Sequence, residues 1–246
     1  MMLNTLHNTA PSQPTGRVHS IQSMGTLDGP GVRFVVFMQG CPLRCKCCHN
    51  PDTWAYSEGT EYTAEEIVNK VLRYREYFGK QGGITLSGGE PLLQADFARE
   101  IFTLCHQNGI NTCLDTSGSI LTDAVKALLK ETDRVLLDIK YTNEEQYREN
   151  VGCTLQSALN FLEYLDEQQI PVTIRQVIIP TVNDDRENMI KLKEIVNRYP
   201  CVDKVELLPF RKICQTKYNS MKIEFPFGHL PACQKSVTDE LYKILE

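Results

Sequence analysis

The chain has 246 residues, of which 41% are hydrophobic and 23% are charged, and its formal net charge is −5. This size and composition are typical of a soluble globular protein with one sizeable core. The net negative charge and the lack of Lys/Arg blocks argue against nucleic-acid binding, and no apolar run approaches the roughly 20 residues of a membrane span. We therefore expect no nucleic-acid partner and no membrane segment.

The first 15 residues are rich in Asn, Thr, Pro, Ser and Gln and lack periodicity, which predicts a disordered N-terminal tail. They contain no apolar stretch of the kind found in a secretory signal peptide. We therefore expect a cytoplasmic protein whose ten cysteines are reduced rather than paired in disulfides. Residues 16–246 are predicted to form a single domain, and the protein is expected to be a monomer.

Short β-branched runs alternate with longer helical patterns along the chain, which indicates an α/β protein with βα units around a mostly parallel sheet. The predicted strands are Arg33–Met38, Gly83–Leu86, Thr112–Asp115, Arg134–Asp138, Val172–Ile179 and Lys204–Leu208. The predicted helices are Ala64–Tyr77, Gln94–Asn108, Thr122–Lys130, Leu155–Gln168, Arg186–Tyr199 and Gln234–Leu245. Six units are too few to close an eight-stranded barrel, so right-handed crossovers would curl them into an open arc.

Four of the ten cysteines follow the first predicted strand within eight residues. Cys41, Cys45 and Cys48 have the spacing C-x3-C-x2-C. Three thiolates on one loop can hold three irons of a [4Fe–4S] cluster and leave the fourth iron without a protein ligand, which indicates catalysis. Cys47 leaves an alternative open, because C-x3-C-x-C would also be a usable spacing with Cys48 as the spare thiol.

A structural zinc site is the alternative from a different class of protein. It would use the same three cysteines with His49 as the fourth ligand, and the chain would then be a metal-stabilised binding module. Adjacent side chains diverge, so Cys48 and His49 would have difficulty reaching one metal ion. No second CxxC or HxxxH pair lies nearby to complete a tetrahedron.

Several motifs together resemble the radical S-adenosylmethionine (SAM) enzymes that activate glycyl radical enzymes, over roughly residues 16–245. They are the cysteine loop, the segments 25–33 and 48–54 on either side of it, and Ser87-Gly88-Gly89-Glu90-Pro91. The resemblance implies a partial (β/α)6 TIM-like barrel of the radical SAM type. It also implies that Cys41, Cys45 and Cys48 hold a [4Fe–4S] cluster, which reductively cleaves SAM to methionine and a 5′-deoxyadenosyl radical.

The resemblance also implies roles for residues at the predicted strand ends. The expected SAM contacts are Cys47, His49, Gly89, Asp138, Ile139, Lys140 and Arg211. Arg211 stands where the family has a histidine, and its planar charged donors differ from a stacking imidazole. The residues expected around a monovalent cation are Asp115, Thr116 and Glu90, and those expected at the protein partner are Asp28, Gly29, Gly31 and Arg33. Without the resemblance, these residues would be read as turns and solvated strand ends.

The implied partners are a glycyl radical enzyme as protein substrate, with pyruvate formate-lyase as the expected one, and a flavodoxin or ferredoxin as electron donor. Another glycyl radical enzyme, such as the anaerobic ribonucleotide reductase, stays open as the target. The other six cysteines are scattered singly, so we expect them to be buried small hydrophobic residues rather than ligands of a second cluster.

Overall fold

The computed structural model describes residues 14–246, so all but the last two residues of the expected N-terminal tail lie outside the described residues. The strands are β1 (Thr15–Gly25), β2 (Arg33–Met38), β3 (Thr60–Thr63), β4 (Gly83–Gly88), β5 (Asn111–Thr116), β6 (Arg134–Asp138), β7 (Val172–Ile178) and β8 (Val202–Pro209). The helices are α1 (Ala64–Leu72), α2 (Ala95–Gln107), α3 (Asp123–Leu129), α4 (Glu144–Val151), α5 (Leu155–Glu167), α6 (Arg186–Arg198), α7 (Gln215–Met221) and α8 (Lys235–Leu245). The division into a tail and one domain stays a prediction.

All eight strands form one sheet in the order β3-β1-β2-β4-β5-β6-β7-β8. Six strands pair in parallel, in the order β2-β4-β5-β6-β7-β8. The other two are antiparallel: β1 pairs with β2, and β3 pairs with β1. Within the described part of the chain, β3 and β8 do not pair with each other, so the sheet stays open. This arrangement confirms the predicted partial (β/α)6 barrel and adds two antiparallel strands at one edge.

The helix boundaries follow local capping. Thr63 accepts a hydrogen bond from the Glu66 amide while the Glu66 carboxylate accepts one from the Thr63 amide, which confirms the predicted capping box at the start of α1. α2 ends shortly before Gly109, whose φ of 68° suits a residue without a Cβ. α1 is shorter than predicted, since it ends at Leu72 and a separate 3-10 turn covers Arg75–Tyr77.

Side chains alternate along the parallel strands between a helix-covered face and the interior of the arc. On β4, Ile84 and Leu86 are fully buried on the helix-covered face. Thr85 and Ser87, on the other face, reach Asp28 and Asp115 in the interior. The interior is therefore polar toward the carboxyl ends of the strands, where functional groups of βα proteins gather. No helix among the described residues is both long and apolar enough to cross a membrane.

Candidate active site

The loop that follows β2 carries the cysteine motif and is held by hydrogen bonds to segment 53–55 and to the loop after β4. The Gly40 amide donates to the Thr53 carbonyl at 2.8 Å, and Gln39 Nε2 donates to the Ala55 carbonyl at 2.7 Å. The Glu90 amide donates to the Gly40 carbonyl at 2.8 Å. A Cβ on Gly89 would lie only 2.2 Å from the Gly40 carbonyl oxygen, so this close approach of two loops requires glycine at residue 89.

All four clustered cysteines line one pocket at the carboxyl end of the sheet. Cys47 is buried, and the other three are half-buried. Burial raises the pKa of Cys41 to about 12 and that of Cys45 to about 11, although the Lys140 ammonium lowers the latter. Thiols with such pKa values ionise when a metal centre replaces their protons. The residues present therefore suit an iron–sulfur cluster.

The geometry of these thiols bears on the zinc alternative. Within residues 14–246, no group of three or more His, Cys, Asp or Glu side chains converges closely enough to hold a single metal ion. In a [4Fe–4S] cluster, each cysteine binds a different iron, so the ligands need not converge on one point. His49, the fourth ligand of the zinc alternative, instead places Nε2 2.9 Å from the carbonyl oxygen of Arg211. The site thus fits a cluster better than a zinc ion.

Glu90 joins the end of β4 to the end of β5. Its buried carboxylate accepts hydrogen bonds from Thr116 Oγ1 at 2.6 Å, from the Ser117 amide at 3.1 Å, from Ser117 Oγ and from the Leu92 amide at 3.2 Å. Burial raises the pKa of Glu90, and these donors oppose the rise. The structure thus brings Glu90 and Thr116, two of the residues expected around a cation, into direct contact in the pocket wall.

Two carboxylates at the ends of β5 and β6 face the same pocket. Asp138 Oδ2 accepts from Lys140 Nζ at 2.7 Å, and Asp115 Oδ2 accepts from Ser87 Oγ at 2.7 Å. Burial raises the pKa of Asp115 to about 6; Arg175 lowers it and the negative charge of Asp138 raises it. Burial alone would lower the pKa of Lys140, but Asp138 and the nearby thiols hold it well above its ordinary value.

Arg175 is a pocket residue that the sequence analysis missed. It lies within β7, where its guanidinium approaches Asp115 at 3.4 Å and Glu206 at 3.6 Å, and only 11% of its side chain is exposed. The signal that could have found it is that Arg175 is the one charged residue of β7. Ile139, by contrast, is fully buried, and its carbonyl accepts from Gln176 Nε2 at 3.0 Å.

Arg211 lies outside the ring of residues that line the pocket. Its side chain is exposed, and its carbonyl oxygen is the group that contacts His49. Burial, together with Lys140 and Lys217, lowers the pKa of His49, while the contact with the Arg211 carbonyl raises it. The contact predicted between the Arg211 guanidinium and SAM stays a prediction.

The segment predicted to meet the protein partner lies against interior side chains of the sheet and outside the residues that line the cysteine pocket. Thr85 Oγ1 donates to the Asp28 carbonyl at 2.7 Å, and a Cβ on Gly29 would lie 3.2 Å from Cys113 Sγ. Gly31 (φ 69°) is so close to the Gly82 amide that a Cβ would lie 2.6 Å from it. The floor loop, which we define as residues 26–31, is therefore seated closely on β4 and β5.

The prediction that Arg33 contacts the partner needs correction. Its side chain is fully buried, with Nε donating to Thr85 Oγ1 at 3.0 Å and Nη1 to Asn111 Oδ1 at 2.7 Å. A partner protein cannot reach a guanidinium in that position. Arg33 supports the floor loop indirectly. Its Nε donates to Thr85 Oγ1, and Thr85 Oγ1 in turn donates to the Asp28 carbonyl.

Residues 35–192 match the family model of the radical SAM superfamily. The match covers more than half of the chain, and the fold and the cysteine pocket agree with it, so the chain belongs to the radical SAM superfamily. Membership implies a [4Fe–4S] cluster and SAM as cofactors. The chain is also similar to a radical SAM methyltransferase structure from Sphaerobacter thermophilus, which shares the fold (17% identity, 96% of this chain and 75% of that chain, TM-score 0.61).

Two relatives extend this likeness over nearly the whole chain. A pyruvate formate-lyase-activating enzyme of Listeria monocytogenes is 42% identical over 238 residues, covering 94% of this chain and 96% of the relative. A protein of the same name from Clostridium pasteurianum is 44% identical over 232 residues, covering 94% of this chain and 97% of the relative. These findings confirm the predicted family of radical SAM activating enzymes.

Proposed function

We propose that the chain activates pyruvate formate-lyase under anaerobic conditions by generating a glycyl radical on it. The observation that carries the proposal is the single pocket onto which the C-x3-C-x2-C thiols, Gly89 and the Asp138–Lys140 pair all open. The near-full-length likeness to two pyruvate formate-lyase-activating enzymes supports the choice of target.

When bound, the reduced cluster and SAM supply a 5′-deoxyadenosyl radical able to take a hydrogen atom from a glycine of the partner. The residues of this chain bind and orient these groups. Cys41, Cys45 and Cys48 hold the cluster, and Cys47 is the spare thiol. Lys140, charged in the pocket, offers its ammonium to the carboxylate of SAM. Gly89, which lines the pocket beside the cysteine loop, offers its backbone to the SAM ammonium.

We further propose that Asp115 and Asp138 hold a monovalent cation at the edge of the SAM site. The two carboxylates face one pocket, where burial and, to a smaller extent, the charge of Asp138 raise the pKa of Asp115 against the opposing effect of Arg175. A bound cation would relieve this repulsion with the oxygen ligands that alkali ions prefer. Glu90 and Thr116 keep the adjacent wall in place through their mutual hydrogen bond.

The remaining parts of the proposal concern partners. The floor loop residues Asp28, Gly29 and Gly31 are proposed to contact the segment of pyruvate formate-lyase that carries the target glycine. A reduced flavodoxin or ferredoxin is proposed as the electron donor, because the cluster must be reduced before SAM is cleaved. We propose a monomer that works in the cytoplasm.

The test combines the reconstituted protein with a reductant, SAM and pyruvate formate-lyase without air. A glycyl radical signal in electron paramagnetic resonance is expected with the wild type and not with Cys41→Ala. SAM cleavage without that signal would reject pyruvate formate-lyase and favour another glycyl radical enzyme. A colourless protein that binds zinc and never cleaves SAM would reject the enzyme altogether, since thiolate–iron sites absorb near about 400 nm.

A further inference from the structure

The side of the cysteine loop that faces solvent carries a compact group of three side chains, Arg44, Trp54 and Tyr56, which we define as the outer face. The Arg44 guanidinium carbon lies 4.9 Å from the centroid of the Trp54 ring. Tyr56 is 57% exposed. Its ring lies close to Gly40, 3.5 Å from the position that a Cβ on this glycine would occupy. Arg44 and Tyr56 therefore lie against the segment that bears Cys41, and Trp54 packs against the Arg44 guanidinium.

Arg44 is a cation available to a partner. Within residues 14–246 no carboxylate forms an ion pair with it, whereas nearby Lys46 pairs with Glu149 at 2.7 Å and Lys217 with Asp52 at 3.0 Å. Arg44 Nη1 donates to the carbonyls of Cys41 at 2.9 Å and Leu43 at 2.7 Å, so its other guanidinium nitrogens remain available. An exposed guanidinium with this geometry suits bidentate pairing with a carboxylate.

The outer face also lies against the residues that hold the cluster. Arg44 bonds the Cys41 carbonyl directly. The Trp54 ring packs edge-on against Tyr218 at 6.1 Å between centroids, and Tyr218 Oη donates to the Cys48 carbonyl at 3.3 Å. The outer face is thus connected to the ligand loop directly through Arg44 and, by way of Tyr218, through Trp54.

The proposed function requires an external electron, because the six cysteines outside the cysteine loop lie singly along the chain and form no motif for a second cluster. Building on that function, we propose that the outer face is the docking surface for a small acidic one-electron carrier protein. Arg44 pairs with a carboxylate of the carrier, and Trp54 and Tyr56 make the apolar contact. Arg, Trp and Tyr are the residue types that dominate binding energy at protein interfaces. One electron passes from the carrier's reduced cofactor to the oxidised cluster, and no bond or proton is exchanged.

The test follows cluster reduction in the reconstituted protein by the loss of absorbance near about 400 nm. The reductants are a reduced flavodoxin, a reduced ferredoxin and, as a small neutral reductant, photoreduced deazaflavin. The variants are Arg44→Glu, Tyr56→Ala and the matched control Arg198→Glu. Arg198 is exposed at the end of α6, at the opposite end of the barrel from the cysteine loop.

We expect Arg44→Glu to lower the rate constant for reduction by the acidic carrier at least about tenfold at low salt, because charge reversal removes attraction and adds repulsion. The wild-type rate should fall as salt rises, and the variant should lose most of that dependence. Arg198→Glu should stay within about twofold of wild type, as expected for a remote surface charge. Reduction by deazaflavin should be the same in all four proteins.

An unchanged rate with the acidic carrier in Arg44→Glu, at full iron content, would overturn the proposal. Should Arg44→Glu lose iron, Tyr56→Ala decides: slower reduction by the carrier alone supports the outer face, and an unchanged rate overturns it. A wild type that deazaflavin reduces but neither carrier does would also overturn it. Failure of the proposed function looks different, because the cluster would then be reduced without any cleavage of SAM.

Discussion

The buried guanidinium of Arg33 allows a stringent test of how the floor loop is held. Substitution by methionine keeps an unbranched chain of similar reach and removes the charge and every donor. In the structure, Arg33 donates to Thr85 Oγ1, to Asn111 Oδ1, and to the carbonyls of Gln81 at 3.1 Å and Ile84. Burial lowers the pKa of this guanidinium, and a buried charge needs such hydrogen bonds to offset its desolvation.

The magnitude follows from the acceptors left behind. Each buried polar group that loses its partner costs about 1–3 kcal/mol, and some acceptors will find new donors or water. Loss of the charge itself relieves the desolvation cost, so the terms partly cancel. We expect Arg33→Met to lower the free energy of unfolding by about 3–4 kcal/mol, within the range for disruption of a buried polar network.

Urea unfolding followed by circular dichroism measures this loss, and Arg99→Met is the matched control. Arg99 is half-exposed and lies 3.9 Å from Asp96, so its removal should cost less than about 1 kcal/mol. Hydrogen exchange supplies the second readout, because amides of residues 26–31 should lose protection in Arg33→Met before the rest of the sheet does. A loss below about 1 kcal/mol, with the loop protected as in wild type, would refute the role assigned to Arg33.

Three further predictions concern the pocket. Alanine substitution of Cys41, Cys45 or Cys48, the proposed cluster ligands, should remove most of the bound iron, whereas Cys47→Ala should retain it. Iron retained in Cys48→Ala but lost in Cys47→Ala would reverse the assignment of these two cysteines. Asp138→Ala should weaken SAM binding in isothermal titration with the cluster intact, because it removes the 2.7 Å partner of Lys140; unchanged affinity with lost iron would make Asp138 structural. Arg211→Ala should raise the SAM concentration for half-maximal cleavage roughly tenfold, the size of one charge-assisted hydrogen bond, and no change would mean that the histidine's role is not inherited.

The six parallel strands could be predicted because strands buried on both faces read as nearly continuous β-branched runs. The same rule explains the two strands that were missed. β1 is the second strand from the sheet edge and is mostly polar, with Val18 as its buried apolar side chain. β3 is the edge strand and has only four residues. α4 and α7 were also not predicted; α4 is polar over most of its length, so it lacks the apolar periodicity that marks a helix.

The site was predictable to the extent that its residues lie next to each other in the chain. The cysteine spacing defines a ligand set by itself, and strand ends meet at one edge in any parallel sheet. The burial of Arg33 and the position of Arg175 depend on which neighbours surround each side chain, and local patterns do not contain that information. A short run of glycines and one arginine predicts a turn, but not which member of the turn folds back into the core.

The interior of the arc is built in two layers, and this explains why a residue of the floor-loop motif need not touch a partner. Side chains two positions apart on a strand share a face and lie about 7 Å apart. Ser87 therefore belongs to the layer that faces the cofactor pocket, and Thr85 to the layer beneath it, where it holds the Asp28 carbonyl. Arg33 fixes Thr85 from the core side. Arg33 and Thr85 thus hold the floor loop from its buried side, while Thr26, Leu27 and Gly31 stay exposed.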